Sequence, residues 1–249
     1  MGGMDVPAFV DCHSHVVPSQ DDGARTVTEG AELCREAARR GTAVLFATPH
    51  VWPHLGLDAD RERAVREAFS RLAPVAGLEL RLGFELTPTQ ALLREDPWRY
   101  ELEGTGCVLM EVPFAGPADG LFALAEHVER AGLRPVIAHP ERTEAVQADP
   151  RLTRELADRG WLVQVNATSL TGYHGPLIEL LGWDLLESGR VALVASDGHR
   201  TERPPHLDAA YRLVAERLGP KADALFDGSV LGLAASRRRT ASRAASRGA

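Results

Sequence analysis

The chain has 249 residues, of which 44 % are hydrophobic, enough for one large domain or two small ones. Its formal net charge is −7, and removing the five arginines of the stretch 235–249 leaves the rest of the chain at −12. So acidic a body argues against a nucleic-acid binder, because such proteins need clustered lysine and arginine to bind phosphates.

Short apolar or β-branched runs alternate with amphipathic helical segments along the chain. The sequence predicts strands at residues 8–12, 43–47, 78–84, 106–112, 134–138, 161–165 and 191–195. It predicts helices at residues 28–40, 58–75, 117–131, 151–159, 175–188 and 207–218. Each connection is long enough for a right-handed crossover, so we expect parallel strands. Two architectures fit this alternation, a closed TIM-like barrel and an open doubly wound sheet.

The remaining composition predicts a single domain over residues 1–231 and a basic, disordered tail over residues 232–249. There is no apolar run of membrane-spanning length, and residues 1–10 lack the features of a secretory signal. We therefore expect a cytoplasmic protein without a membrane span. The three cysteines, Cys12, Cys34 and Cys107, form no CxxC pair, which argues against a disulfide framework or a thiolate zinc site.

Polar side chains that can bind metals follow nearly every predicted strand. In strand order they are His13 and His15, His50, Glu85, Glu111, His139, Asn166, and Asp197 with His199. In a barrel the carboxyl ends of the strands converge on one face, where active sites assemble. An open sheet would spread these side chains along a line too long for one site. The distribution therefore favours the barrel.

The spacing of these residues is chemically consistent with a metal centre. His13 and His15 are two residues apart, so both rings point to one side of an extended chain, and Asp197 and His199 repeat this spacing. With Asp22, on the loop after the first pair, the set holds five histidines, four carboxylates and no thiolate. This mixture suits Zn, Mn or Fe, and it exceeds what one ion can use, so the sequence predicts two or three ions with a bridging carboxylate. The other histidines are expected to be surface or packing residues: His54, His127, His174 and His206.

Seven segments carry a resemblance to a known family: DCHSHVVPSQDDGA, LFATPH, LGFEL, LMEVPF, VIAHPER, VQVNATSL and VASDGHR. With these segments, from about Val10 to Leu231, the chain resembles the PHP (polymerase and histidinol phosphatase) superfamily. More narrowly, it resembles the bacterial metal-dependent protein-tyrosine phosphatases encoded with capsule and exopolysaccharide genes. The resemblance implies a distorted TIM-like (β/α)7 barrel that holds three divalent ions, manganese before zinc or iron.

The resemblance also implies a role for each ligand. One ion would be held by His13, His15 and Asp197. Glu85 would bridge to a second ion, completed by Glu111 and His139. The third ion would be held by Asp22, His50 and His199. Asp22 is preferred to Asp21 because it lies seven residues after His15, as the ligand does in the family.

Two arginines match the phosphate-binding positions of the family. Arg142 belongs to the HPER segment, and Arg203 precedes Pro204 and Pro205 on a loop one residue shorter than the family's. The implied activity is hydrolysis of a phosphoester by a hydroxide shared between ions, with the planar fork of Arg142 stabilising the phosphoryl oxygens. The expected substrate is a phosphotyrosine protein, such as a bacterial tyrosine kinase, or a small phosphoester. Related enzymes form rings or dimers, so a homo-oligomer is also among the expectations.

Three other functions remain open on the sequence. A small-molecule phosphatase of the histidinol phosphate type usually has a longer chain and different loop motifs. An amidohydrolase-like enzyme typically needs a metal-bridging lysine, and Lys221 near the C-terminus is the only lysine of the chain. A non-catalytic PHP module need not keep all nine ligands. A cysteine-based phosphatase is excluded, because the Cys34 to Arg40 spacing lies in a helical pattern without the glycines of a phosphate loop.

Overall fold

The apolar runs form the strands of the computed structural model, which describes residues 6–72 and 74–233. Within these residues the strands are β1 (Phe9–Asp11), β2 (Thr42–Ala47), β3 (His50–Val51), β4 (Glu79–Leu82), β5 (Glu85–Leu86), β6 (Glu101–Leu102), β7 (Cys107–Glu111), β8 (Arg134–Ala138), β9 (Leu162–Asn166) and β10 (Val191–Ala195). All seven predicted strands occur. β3, β5 and β6 were not predicted as separate strands, because two-residue strands leave no periodic pattern.

Helices cover the outer side of these strands. They are α1 (Val27–Arg39), α2 (Ala59–Ser70), α3 (Asp119–Arg130), α4 (Glu144–Ala148), α5 (Arg151–Asp158), α6 (Ala167–Leu170), α7 (Pro176–Glu187) and α8 (Asp208–Leu218). The six predicted helices occur with shifted ends, and the short α4 and α6 were not predicted. The largest shift is in α2, which stops four residues before Pro74, since proline cannot continue a helix.

Parallel pairing joins the strands into a ring. One sheet has the order β1-β2-β4, and the other has β10-β9-β8-β7-β5-β3, with β6 antiparallel to β7. β2 and β3 are parts of one extended segment broken at residues 48–49, and β4 and β5 are parts of another broken at residues 83–84. The two sheets therefore share strands rather than standing apart.

Main-chain hydrogen bonds beyond the ends of β1 and β10 close the ring. The His15 N–H donates to Gly198 O (2.6 Å), the Asp197 N–H donates to His13 O (2.9 Å), and Ser14 bridges Gly198 in parallel. The predicted TIM-like barrel of seven strands is thus confirmed, with the interruptions that distort it. The predicted basic tail, apart from residues 232–233, lies outside the described residues.

Side chains alternate between two apolar layers along the strands. In β7, Cys107 and Leu109 pack inside the barrel, while Val108 and Met110 pack outside with the core that includes Leu121 of α3. Continuing the inward-facing set by two residues leads to Glu111, at the carboxyl end of the strand. The apolar interior of the barrel is thus capped at this end by polar side chains. Among the described residues no helix has the length and hydropathy needed to cross a bilayer.

The packing of α1 on the barrel supplies a test of this fold. A Cβ added at Gly30 would lie 2.0 Å from Val16 O, whereas one added at Gly182 in α7 would make an ordinary 3.4 Å contact with Leu170. We expect Gly30→Ala to lower the free energy of unfolding by about 1–3 kcal/mol, although alanine favours a helix by about 1 kcal/mol. Gly182→Ala should be neutral or stabilising. Urea denaturation of both variants checks this, and equal stabilisation by both would contradict the close packing of α1.

Candidate metal centre

The first predicted ligand set meets where the barrel closes. His13 Nε2 and His15 Nε2 lie 3.1 Å apart, and Asp197 Oδ1 lies 3.5 Å and 3.4 Å from them. All three side chains are buried. The main-chain bonds between residues 13–15 and 197–198 fix this geometry, because they join the same segments that carry the side chains.

Glu85, at the start of β5, lies at the middle of the centre. Its Oε2 is 3.0 Å from His13 Nε2, 3.2 Å from His15 Nε2 and 3.0 Å from His50 Nδ1. None of these contacts has the geometry of a hydrogen bond, and the buried Oε2 has no hydrogen-bond partner in residues 6–72 and 74–233. Burial would raise the pKa of Glu85, but the positive charges of His13 and His50 outweigh it and hold the pKa well below its usual range.

His139 and Glu111 lie on the far side of Glu85. His139 Nε2 contacts Glu85 Oε1 at 2.9 Å, and His13, Glu85 and His139 together offer three ligand atoms within 4.8 Å of one another. Glu111 turns one oxygen to the Thr87 hydroxyl, which donates to it, and its Oε2 has no hydrogen-bond partner in the part of the chain that the structure describes. Burial and the neighbouring negative charge of Glu85 raise the pKa of Glu111 to about 8. A carboxyl held in this way gains greatly from a nearby cation.

The third set lies at the open edge of the centre. Asp22 Oδ1 is 3.2 Å from His199 Nε2 and 3.6 Å from His50 Nε2, with 58 % of the Asp22 side chain exposed. His15, His50 and His199 also offer three ligand atoms within 4.8 Å of one another. Asp22 therefore faces solvent on one side and two imidazoles on the other.

Asp21 lies next to this set but has a different environment. Its Oδ2 accepts the main-chain N–H of His50 at 3.0 Å, and its Oδ1 accepts that of Gly23 at 3.1 Å. Its buried side chain also lies 3.8 Å from His15 Nδ1. Asp21 thus fixes the turn that carries Asp22 and the strand that carries His50.

The two predicted phosphate-binding arginines meet at Asp197. Arg142 Nη1 donates to Asp197 Oδ2 at 2.6 Å, and Arg203 Nη1 lies 3.5 Å from the same oxygen. The Asn166 amide also donates to Oδ2, at 2.8 Å. The Asp197 carboxylate therefore presents Oδ1 to the histidines and Oδ2 to the arginines.

Two residues of the centre have backbone conformations that L-residues rarely adopt. His139 has φ 34° and Asp197 has φ 52°, both in the left-handed region. Each such residue costs of order 1–3 kcal/mol and persists only where the surroundings impose it. Both residues follow directly on a barrel strand or its extension, where the chain must turn sharply to aim a side chain across the opening.

Sequence reasoning missed several residues that organise the centre. Gln164 Oε1 lies 3.0 Å from His13 Nδ1, so a proton on Nδ1 leaves Nε2 free to face Glu85, and the Gln164 amide donates to Asn166. The alternation along β9 could have indicated Gln164, because Leu162, Gln164 and Asn166 share the inward face of the strand. His174, predicted as a surface or packing residue, is partly buried and accompanies the arginines: burial, then Arg142 and Arg203, lower its pKa to about 4.

The donor set suits cations more than it suits an empty polar core. Five imidazoles converge with the carboxylates of Glu85 and Asp197, and Asp22 Oδ1 lies within 3.6 Å of two of the imidazoles. Within the described part of the chain, several buried donor and acceptor atoms of this centre lack a hydrogen-bond partner. Unpaired buried polar atoms are costly, so a site of this kind needs partners of opposite charge. Cys34 is buried within α1, and burial raises the pKa of its thiol to about 12, which argues against a thiolate nucleophile there.

Comparison with known proteins agrees with this geometry. A family model described as capsular polysaccharide synthesis, CpsB/CapC, matches residues 9–226. The tyrosine-protein phosphatase YwqE of Bacillus subtilis (strain 168) is 30 % identical over 223 residues, covering 85 % of this chain and 85 % of that protein. A solved structure described as YwqE from Bacillus subtilis and CpsB from Streptococcus pneumoniae, unique metal-dependent tyrosine phosphatases, matches with TM-score 0.80 and 26 % identity. The match covers 92 % of this chain and 97 % of the solved chain.

A more distant likeness concerns the fold alone. A beta-aspartyl dipeptidase from Fervidobacterium islandicum AW-1 is 14 % identical, with TM-score 0.57 over 90 % of this chain and 74 % of that chain. Fold and site together define a seven-stranded barrel protein with a buried histidine and carboxylate centre suited to metal ions. Within that class, the chain belongs to the CpsB/CapC family of capsular polysaccharide synthesis.

A buried arginine that has no carboxylate partner among the described residues ties the loops of the centre together. Arg61, in the first turn of α2, donates Nε to Ser19 O (3.1 Å), Nη1 to Leu55 O (2.9 Å) and Nη2 to His50 O (2.8 Å). It thereby joins the segment before Asp21 to the strand that carries His50. The sequence does not predict this role of Arg61, because its acceptors are main-chain oxygens, which every residue has.

We expect Arg61→Met to lower the free energy of unfolding by about 2–4 kcal/mol, because several carbonyls would lose a charged donor. The matched control is Arg66→Met on the same helix. Among the described residues Arg66 pairs only with Glu62, and its side chain is 54 % exposed, so this change should cost under about 0.5 kcal/mol. Urea denaturation of the metal-free proteins checks both values. Equal costs for the two variants would show that Arg61 does not hold these loops.

Proposed function

We propose that this protein is a metal-dependent phosphatase that hydrolyses phosphotyrosine. The observation that carries the proposal is the position of Glu85 Oε2, which lies 3.0–3.2 Å from three imidazole nitrogens without a hydrogen bond to any of them. Such an arrangement fits a carboxylate oxygen shared between cations. The relatives named above as tyrosine-protein phosphatases support the choice of reaction.

We propose that the centre holds three divalent ions, manganese before zinc or iron. His13, His15 and Asp197 would hold the first ion. Glu85 would bridge to the second, with Glu111 and His139, and the third would be held by Asp22, His50 and His199. Ions held there would lower the pKa of a coordinated water toward neutrality and balance the charge of phosphoryl oxygens.

The arginines would position the substrate. Arg142 and Arg203 both direct a guanidinium group to Asp197 Oδ2, at the edge of the centre. A phosphate offers the same planar pair of acceptors as a carboxylate and carries more charge, so it competes well for these donors. Asn166 continues to hold Asp197 Oδ2 when an arginine turns to the substrate. The phosphate would then lie between the arginines and the ligand cluster.

The chemistry of the leaving group favours an aryl phosphate. A tyrosine phenol has a pKa near 10, far below that of an aliphatic alcohol, so its anion departs with little help from an acid. We therefore propose a phosphotyrosine protein as the substrate, such as a bacterial tyrosine kinase, with a small phosphoester as the alternative. An amidohydrolase function has no support from the site, because Lys221 is exposed in the Gly219–Leu225 turn and is not among the residues of the centre.

The proposal predicts manganese-stimulated hydrolysis of a phosphotyrosyl peptide that chelation abolishes and added manganese restores. In the double variant His13→Ala, His15→Ala, the rate should fall by roughly 10³-fold or more, because the charge stabilisation supplied by ions is worth several kcal/mol. Phosphate release by the wild-type protein, the double variant and a Cys34→Ser control measures this. The Cys34→Ser control should keep full activity.

Two outcomes separate the parts of this proposal. Full activity in the double variant would overturn the metal centre itself. Turnover of histidinol phosphate with an inert phosphotyrosyl peptide would overturn only the substrate, leaving a metal-dependent phosphatase.

The neighbouring aspartates supply a second prediction. Asp22→Ala should remove about one ion per chain, yet change the unfolding free energy of the metal-free protein by under about 0.5 kcal/mol, because Asp22 is half exposed. Asp21→Ala should cost about 1–3 kcal/mol, because it leaves the N–H groups of His50 and Gly23 without an acceptor. Metal analysis by mass spectrometry and urea denaturation give the two values. Loss of an ion in Asp21→Ala with unchanged stability would reverse the assignment.

A further inference from the structure

Phe114 is an exposed aromatic residue beside the predicted phosphate-binding arginine. It lies on the loop that follows Glu111, with 44 % of the residue exposed. The guanidinium carbon of Arg142 lies 5.0 Å from the centroid of the Phe114 ring. The ring of His139 stacks with it at 5.5 Å and 22°. Exposure of one phenylalanine is common in itself, but this ring touches two residues of the centre.

Both the main chain and the side chain of Phe114 are held in place. The Glu144 N–H, at the start of α4, donates to Phe114 O at 3.0 Å. This bond anchors the loop after β7 to the chain that follows the His139–Arg142 turn. The ring contacts with His139 and Arg142 hold the side chain against the same turn. Phe114 is thus held beside Arg142 before any ligand binds.

We propose that Phe114 is a specificity-determining residue that receives the aromatic ring of the phosphotyrosine substrate. This inference rests on the proposed function. When a phosphate binds to Arg142, the aryl group is one ester oxygen away from the phosphorus. Because Arg142 lies against Phe114, the exposed part of the Phe114 ring is within reach of that aryl group, edge-on or offset, as aromatic pairs prefer.

The same placement distinguishes aryl from alkyl phosphates. A phosphoserine side chain would place only a methylene group beside the ring and would gain no aromatic contact. Arg142 and the ligand cluster treat the phosphoryl group alike in both substrates. Apart from the leaving-group effect on the rate, the discrimination in binding therefore lies in Phe114, outside the residues that bind the phosphoryl group.

Two ligands test this role, one of which carries a phenyl ring on phosphorus where the other carries a hydroxyl group. We expect the metal-loaded Phe114→Ala variant to bind phenylphosphonate about tenfold more weakly than the wild-type protein, the effect of one aromatic contact with its buried area. Binding of inorganic phosphate should change by less than about twofold. Phe114→Tyr should restore phenylphosphonate binding, and Trp98→Leu, a change at an exposed aromatic residue bonded to Ala131 O, should alter neither ligand. Isothermal titration calorimetry measures all four proteins.

The outcomes distinguish this role from a structural one and from failure of the proposed function. Equal weakening of phenylphosphonate and phosphate in Phe114→Ala would mean that Phe114 only positions Arg142, and unchanged binding of both would mean that the ring is idle. Either result overturns the inference while the wild-type protein remains a phosphatase. A wild-type protein that neither binds phosphate nor hydrolyses aryl phosphates would overturn the proposed function, and this inference with it.

Discussion

Two main-chain hydrogen bonds between residues 13–15 and 197–198 both close the barrel and assemble the centre of the protein. His13, His15 and Asp197 belong to the bonded segments, so their side chains come within 3.5 Å of one another only when the first and last strands meet. The burial of these charged groups opposes folding unless they have partners. We call the contact between residues 13–15 and 197–198 the seam. Side-chain contacts on both sides support it: Gln164 contacts His13, and the Asn166 amide donates to Asp197.

The charged groups of the centre differ in how deeply they are buried. Glu85 and Glu111 lie deepest, where a negative neighbour and burial hold the Glu111 pKa high. Asp197 lies between histidines on one side and arginines on the other. Asp22 and Phe114 lie at the exposed rim. Arg142 and Arg203 are partly exposed, so an anionic substrate would meet these positive groups before the buried carboxylates of Glu85 and Glu111, which would repel it.

The sequence predicted the barrel well, because its seven strands are apolar runs separated by long amphipathic helices. It also placed the histidines and carboxylates at the carboxyl ends of the strands, which the topology brings to one face. What it could not predict are interactions that depend on the main chain. Arg61 donates to main-chain carbonyl oxygens, and Asp21 accepts from main-chain N–H groups. The role inferred for Phe114 depends on its position beside Arg142, which only the folded structure shows. Two-residue strands such as β3 were not predicted either, because only their main-chain pairing with a neighbouring strand defines them.

Because the predicted ligands lie on the segments that close the barrel, cation binding there would be coupled to local opening. Ligands that bind only the closed seam stabilise it by RT ln(1 + [L]/Kd), so the seam is most protected when the centre is full. Without ions, this added stabilisation of the closed seam is lost. The amides of His15 and Asp197, which form the closing bonds, are therefore the natural reporters of occupancy by hydrogen exchange. The stability of the contact between the first and last strands would therefore depend on the supply of ions in the cell.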